Sequence, residues 1–519
     1  MPPLEAGPWW ETAVFYEVFV RSFADSNGDG IGDLDGLTAH LDDLNDGDPT
    51  TNDDLGVTAL WLMPVAESPS YHGYDVTDYT KVEPDYGDSA AFQRLIAAAH
   101  QRGIKVVIDF EANHTSNAHP WFKDALAGGP HHDWYVWSKD DPGWPNPVGA
   151  GDPWRASPIG YYYALFSDAM PDLNLRNPDV SAALDGAARF WLDTMGVDGF
   201  RIDAARHLIE DGPDKQLNTP ETRAWLGAFR DAVHGDRSDA LVLGEVYDAE
   251  RTSASYVADA SLDMSFDFEL GPAILNAVAH GDSASLLYVE GGIGRAYPSG
   301  GAGTFLSNHD QPRVMTQLRG DAGAAMLSAG TLLTGPGTPF VYYGEELGMT
   351  GDKPDEQIRT PYQWTAGGPG YGFTTGMPWE PVGDGAATAN AATEATDPGS
   401  IRSTYRDLIR LRDEHPALVS SPVLPLDSSV AHVAASVRVR GGDRLLVIQN
   451  LAAEPAAGAS FRAPAGSLCT PRSASVAYPP TTSGTTVVPP TVRPDGGVDA
   501  YVPLPTIPGR STVVISLSP

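Results

Sequence analysis

The chain has 519 residues, 42% of them hydrophobic, an ordinary content for a folded globular protein. Lys and Arg number 33 against 68 Asp and Glu, a formal net charge of −35, and a surface of that sign repels nucleic acid and anionic membranes. No apolar run reaches the roughly 18–20 residues needed to span a bilayer, and the single cysteine, Cys469, excludes an intramolecular disulfide.

The expected partner is therefore an uncharged small molecule or a cation, with neither nucleic acid nor membrane involved, and the expected state is a monomer. The opening "MPPLEAGPWWETAVFYE" lacks the basic and apolar regions of a signal peptide. Two compartments are compatible with that: the cytoplasm, or secretion with the signal removed.

Eight short β-rich runs alternate with helix-like stretches through the first four-fifths of the chain. In order they are "VFYEVFV" (14–20), "ALWLMPV" (59–65), "KVVIDFEA" (105–112), "GFRIDAA" (199–205), "ALVLGEVY" (240–247), "DMSFDFEL" (263–270), "GTFLSNHD" (303–310) and "GTPFVYYGEE" (337–346). Amphipathic segments such as "SAAFQRLIAAAHQRG" lie between them. This alternation predicts an α/β fold, a parallel (β/α)8 TIM barrel. Residues 115–178 form too long a gap for a loop and predict an inserted domain after the third strand. The barrel then occupies 1–114 and 179–421, closed by "SIRSTYRDLIRLRDEHPAL" and stopped by Pro416. Val-rich alternation over 422–519 predicts a separate antiparallel β-sandwich. Tryptophans 121, 134, 137, 144 and 154 of the insert are read as core.

Polar residues gather at the C-terminal ends of the candidate strands: Asn113 and His114, Arg201 and Asp203, Glu245, His309 and Asp310. In a parallel barrel those ends share one face, so three carboxylates from three strands converge there. Packing alone does not explain such a cluster, because burying like charges is costly. Acid-assisted cleavage at neutral pH needs one carboxylate ionised and another protonated. Arg201 beside Asp203 is expected to hold that aspartate charged as a nucleophile. Glu245 ends the apolar run "ALVLGE", where desolvation suits a general acid/base. Asp310 is then free to stabilise an oxocarbenium-like transition state. A metal-dependent barrel hydrolase would need histidine pairs after its early strands, and a phosphosugar enzyme a Gly-rich loop after the last two; the sequence has neither.

These motifs, with "HGYDVTDY" (72–79) and "GVTALWLMPV" (56–65), occur in the order found in glycoside hydrolase family 13, the α-amylase family, which the chain resembles over residues 10 to 420. The resemblance implies Asp203 as nucleophile, Glu245 as acid/base and Asp310 as transition-state stabiliser. It places Tyr74, Asp75, His114, Arg201 and His309 around the attacked glucose, and Arg206 and His207 on the leaving-group side. Arg313 completes the candidate substrate-binding set. Glu111 departs from the family, which usually carries an aliphatic residue there.

"MPDLN" (170–174) resembles a subgroup intermediate between oligo-1,6-glucosidases and neopullulanases. Ala204 after the nucleophile is similar to α-1,4-acting members, and together these imply an α-amylase-like retaining hydrolase that cleaves the α-1,4-glucosidic bonds of starch-derived maltooligosaccharides. "RTPYQW" (359–364) instead resembles exo-glucosidase and trehalose synthase relatives, the alternative. A cation is implied by "DSNGDGIGD" (25–33), whose Asp25, Asn27, Asp29 and Asp33, with the Ile31 carbonyl, offer oxygens at alternating positions suited to a structural Ca2+. An Asx-rich turn without metal is the competing reading.

Overall fold

The computed structural model describes residues 7–149, 151–420, 422–466 and 470–518, so Cys469 lies outside the described residues. Eight parallel strands close into a barrel: β1 (Phe15–Val18), β2 (Ala59–Leu62), β3 (Lys105–Phe110), β4 (Gly199–Ile202), β5 (Leu241–Gly244), β6 (Met264–Phe266), β7 (Ala302–Phe305) and β8 (Thr338–Tyr342), each bonded to its neighbours in sequence and β8 to β1. The predicted barrel is therefore present. Its interior is a packed core, not a pore: Phe15 and Phe340 stack at 4.2 Å, and Trp61, Val107, Leu243 and Phe266 fill the space around them.

Side chains alternate along a strand. The face that presents Val107 in mid-barrel therefore presents Asp109 two residues later, and Leu243 is followed by Glu245. This carries the charges to the barrel mouth.

Two expected elements end differently. The run 263–270 is a strand only to Phe266, because Asp267 Oδ1 accepts from the N–H groups of Glu269 and Leu270 and launches the helix Leu270–His280. Pro416 does not simply stop the helix Ile401–Glu414. It opens a further short helix, Pro416–Ser420, at whose first position a missing N–H costs nothing.

Between β3 and the helix Pro178–Arg189 lies a small unit with a helix, Pro120–Leu126, and a three-stranded antiparallel sheet of Trp137–Ser138, Gly160–Tyr163 and Trp154–Ser157. Trp121 packs edge-on to Trp134 at 4.7 Å, and Trp154 meets Trp144 and Tyr163 at 5.3 Å each, so these rings serve packing. A bridge from His114 to Asp172 ties the unit to the barrel mouth, and one from Tyr135 to Leu173 holds its own chain together.

The C-terminal part is antiparallel. A six-stranded sheet contains Val433–Arg440, Asp443–Asn450, Ser511–Ser518 and Ser473–Tyr478, beside smaller two- and three-stranded sheets. Val437, Ile448, Phe461 and Ile515 belong to a core of its own. Arg412 and Arg438, both buried, tie it to the barrel by donating to the Leu418 carbonyl, at 2.9 and 3.1 Å.

Candidate active site

The strand ends β4 and β5 bring Arg201, Asp203 and Glu245 together. Arg201 is almost fully buried. Its Nη1 lies 2.7 Å from Asp203 Oδ1, and its Nη2 lies 3.0 Å from Glu245 Oε2. Ala204 turns the chain after the nucleophile candidate with φ +49°, an unusual value for a residue with a side chain, and its N–H donates to Glu245 Oε2 at 3.0 Å. Burial raises the Glu245 carboxyl; Arg201 opposes this, while Asp203 and Asp310 reinforce it.

Asp310 stands across the mouth, after β7. Partial desolvation opposes its ionisation, but His309 and Arg359 outweigh it and hold the carboxyl below the usual range. Arg359 Nη2 donates to Asp310 Oδ1 at 2.9 Å and to Asp355 at 3.1 Å. His309 is buried beneath, with Nδ1 2.6 Å from Glu17 and Nε2 2.7 Å from the Tyr74 hydroxyl. Burial works against protonation of His309, yet Asp310 and Glu17 raise its pKa. His114 and His207 take the opposite course: burial lowers them to about 4 and about 3, so both are neutral imidazoles near neutral pH.

Asp203, Ala204, Glu245 and Asp310 line one cavity of about 570 Å3, with Tyr74, His114, Arg206 and His207. Arg201 and His309 support it from below. Asp75 is buried beside it, accepting from Ser68, Ser70 and Ser116. Arg313 does not line the cavity, which corrects its assignment to substrate: it is buried, and its Nε and Nη1 donate to the backbone carbonyls of Ile358 and Tyr343, at 2.7 and 2.6 Å. The arginines at the cavity wall are Arg206 and Arg359.

Asp109 is a second residue that sequence reasoning missed, although it stands inside "DFEANH". It is buried, accepts from Arg201 Nη1 at 2.7 Å and from the Tyr74 hydroxyl at 3.2 Å, and burial lifts its carboxyl to about 7 despite Arg201. Its place two residues beyond the interior-facing Val107 was the available signal. Glu111 is also buried, at 2% exposure, and does not line the cavity. Burial pushes its carboxyl well above the ordinary range, and Asp109 and Asp203 add to that.

In the 25–33 loop, side-chain oxygens accept from nearby N–H groups. Asp25 takes those of Asn27, Gly28 and Gly30 with the Thr374 hydroxyl; Asn27 takes Asp29, Asp29 takes Ile31, and Asp33 takes Ser26 and Gly36. The donor chemistry is all oxygen, as Ca2+ requires. Among the described residues, however, no three acidic, cysteine or histidine side chains come together closely enough to hold a metal ion.

Compared with known proteins, the chain matches the family model for the alpha amylase catalytic domain over residues 17–421. It is 38% identical over 452 residues to alpha-amylase 3 of Dictyoglomus thermophilum, covering 86% of this chain and 85% of that protein. It is 31% identical over 518 residues to an oligo-1,6-glucosidase of Parageobacillus thermoglucosidasius, covering 85% and 90%. Among solved structures, an alpha-amylase from H. orenii superposes with a TM-score of 0.84 at 36% identity, covering 98% of this chain and 99% of that one.

Proposed function

The chain belongs to the α-amylase family of glycoside hydrolases, and from that premise we propose that it cleaves α-1,4-glucosidic bonds of maltooligosaccharides with retention of configuration. One observation carries the retaining mechanism: Asp203 and Glu245 sit on adjacent nitrogens of a single guanidinium. That suits the ~5 Å carboxyl separation of retaining enzymes, rather than the ~6.5–9.5 Å that leaves room for a water between them.

Glu245 gives its proton to the departing glycosidic oxygen while Asp203 attacks C1. Asp310, held charged by His309 and Arg359, faces the positive charge that develops on the sugar ring. Water then attacks C1 from the side the leaving group vacated. Glu245 takes its proton, and the bond to Asp203 breaks. Arg201 stays buried throughout and offsets the negative charge of the carboxylates around it.

The α-1,4 preference is supported by Ala204, which lines the cavity with a single methyl where a β-branched residue would narrow it. A second reading, an exo-acting α-glucosidase or 1,6-glucosidase, or a transglycosylase or isomerase such as trehalose synthase, is favoured by Arg359 of "RTPYQW". With Asp355 and Tyr71 it walls one side of the cavity. Chromatography of the products from starch, maltotriose, isomaltose, sucrose and trehalose separates the two. Starch and maltotriose cleaved to maltooligosaccharides without isomaltose, sucrose or trehalose turnover fits the first, and glucose released singly from chain ends, or turnover of isomaltose, sucrose or trehalose, fits the second.

Ca2+ binding by the 25–33 loop is a separate proposal, supported by its donor chemistry: Asp25, Asn27, Asp29, Asp33 and the Ile31 carbonyl. Its role would be to brace the loop, outside the chemistry.

A further inference from the structure

Phe15 packs in the barrel interior with Trp61 and Phe340. Glu17 follows it by two residues on β1 and so faces the same way, one layer nearer the mouth. It is buried, a carboxyl that the mechanism above leaves unused. Its Oε1 lies 2.6 Å from His309 Nδ1. On the far side of that ring, Nε2 lies 2.7 Å from the Tyr74 hydroxyl and 3.3 Å from Asp310 Oδ2. Tyr74 stands 3.2 Å from Asp109 Oδ2, and Asp109 Oδ1 accepts from Arg201, which also donates to Asp203. One chain of polar contacts thus crosses the floor of the site from β1 to β4.

This chain has one proton to place and two directions in which to run. Burial raises the Tyr74 hydroxyl far above its ordinary value, and Asp109 adds to that, so Tyr74 has a single proton to donate. If Tyr74 donates to Asp109, it accepts from His309 Nε2–H. With Nδ1–H aimed at the Glu17 carboxylate, His309 is then an imidazolium and Asp109 a carboxylate. If Tyr74 donates to His309 instead, the ring is neutral and the proton rests on Asp109, whose carboxyl burial lifts to about 7. Asp310 then loses a facing cation, and Arg201 loses a facing anion.

The groups around His309 pull both ways. Asp310 favours the charged ring, and Arg359, whose Nε donates to the His309 carbonyl at 3.0 Å, opposes it. Tyr342 and Glu345 are the titratable neighbours on the Glu17 side. Glu17 makes the shortest contact to the ring, and at this depth little solvent screens it.

We propose that Glu17 is a positioning residue that fixes the direction of this chain, making His309 a donor at both ring nitrogens, aiming the Tyr74 hydroxyl at Asp109 and keeping a cation against Asp310. The inference rests on the reading of Asp203 and Asp310 as the groups that act on the sugar. The proton count is the same in both directions; Glu17 decides at which end the proton stays.

Nitrogen-15 NMR of the whole enzyme with labelled histidine reads the ring directly, the His309 signal being identified by its loss in His309→Gln. Both ring nitrogens should carry a proton at pH 7 in the wild type, and one should lose it in Glu17→Gln. That variant keeps the shape and an acceptor oxygen but not the charge. Its kcat on maltotriose at pH 7 should fall about tenfold or more with KM held within about threefold, short of the roughly 10²–10³ that loss of a direct donor costs. The deficit should shrink as pH falls and His309 protonates unaided, so the optimum moves to acid. A merely structural role would lower the melting temperature without moving that optimum. Should Glu17→Gln not fold, the wild-type spectrum still decides. A neutral His309 in the wild type at pH 7, or a folded Glu17→Gln with the wild-type optimum, overturns the proposal while leaving hydrolysis intact. Failure of the wild type to consume maltotriose overturns the underlying function with it.

Discussion

Asp109 lies 2.7 Å from the same Arg201 nitrogen that meets Asp203. One buried guanidinium nitrogen thus serves two carboxylates, and Asp109 fixes where Arg201 points. Removing it leaves a buried positive charge short of a partner, a change that typically costs about 3–5 kcal/mol. Asp109→Ala should therefore lower the melting temperature and cut kcat/KM by about 10²-fold or more. A thermal melt and steady-state kinetics on maltotriose check both; near-wild-type kinetics would remove Asp109 from the positioning role.

The pH profile should carry an alkaline limb from Glu245, separable by substrate from the titration of Asp109 at about 7. With the Glu245 carboxyl raised by burial, kcat/KM falls as pH climbs through its pKa and the acid loses its proton. His114 at about 4 and His207 at about 3 contribute no break between pH 5 and 8. The alkaline limb should be absent with α-glucosyl fluoride, whose leaving group needs no proton, and present with maltotriose. The same limb with both substrates would assign it elsewhere.

Glu290 offers a stability test away from the site. It is buried on the helix Ser283–Ala296, and burial lifts its carboxyl from 4.5 to about 7 in spite of Arg438 nearby. A carboxyl raised on folding binds more protons folded than unfolded. Its contribution is therefore fully present below pH 4.5 and lost as pH rises to about 7. Glu290→Gln should gain stability relative to the parent across that window, provided the amide is accommodated. Denaturant midpoints at pH 4.5 and 7.5 read the difference, and a gap that does not widen with pH contradicts it.

The calcium proposal predicts that prolonged chelation lowers the melting temperature and that added Ca2+ restores it by mass action. Asp29→Ala should abolish the response. An unchanged melt in chelator, with no calcium found by elemental analysis, would leave the loop as an Asx-braced turn.

The barrel and the convergence of Arg201, Asp203 and Glu245 were legible because strand alternation and strand-end charge are local signals. Arg201, Asp203 and Glu245 each sit within two residues of a strand end. The rest of the site depends on loops. Arg359 reaches Asp310 across 49 residues of chain from an irregular segment, and no periodicity announces it. Arg313 is only three residues from Asp310 in sequence, yet its guanidinium turns toward the carbonyls of 343 and 358, a direction set by packing on Tyr342 and Tyr343. The 25–33 loop shows the same limit: spacing names the oxygens, but not whether they turn to a cation or to the backbone.

The most direct test of the central claim is the ratio of kcat/KM for maltotriose to that for isomaltotriose, measured on one preparation. The methyl of Ala204 leaves width beside the leaving group, and one methyl-scale contact is worth about 1–3 kcal/mol, so the ratio should favour maltotriose by roughly 10- to 200-fold. Ala204→Val should erode that preference; because residue 204 has φ +49°, a β-branched side chain should also lower the melting temperature. A wild-type enzyme that prefers isomaltotriose contradicts the α-1,4 assignment and places the chain with its 1,6-acting relatives.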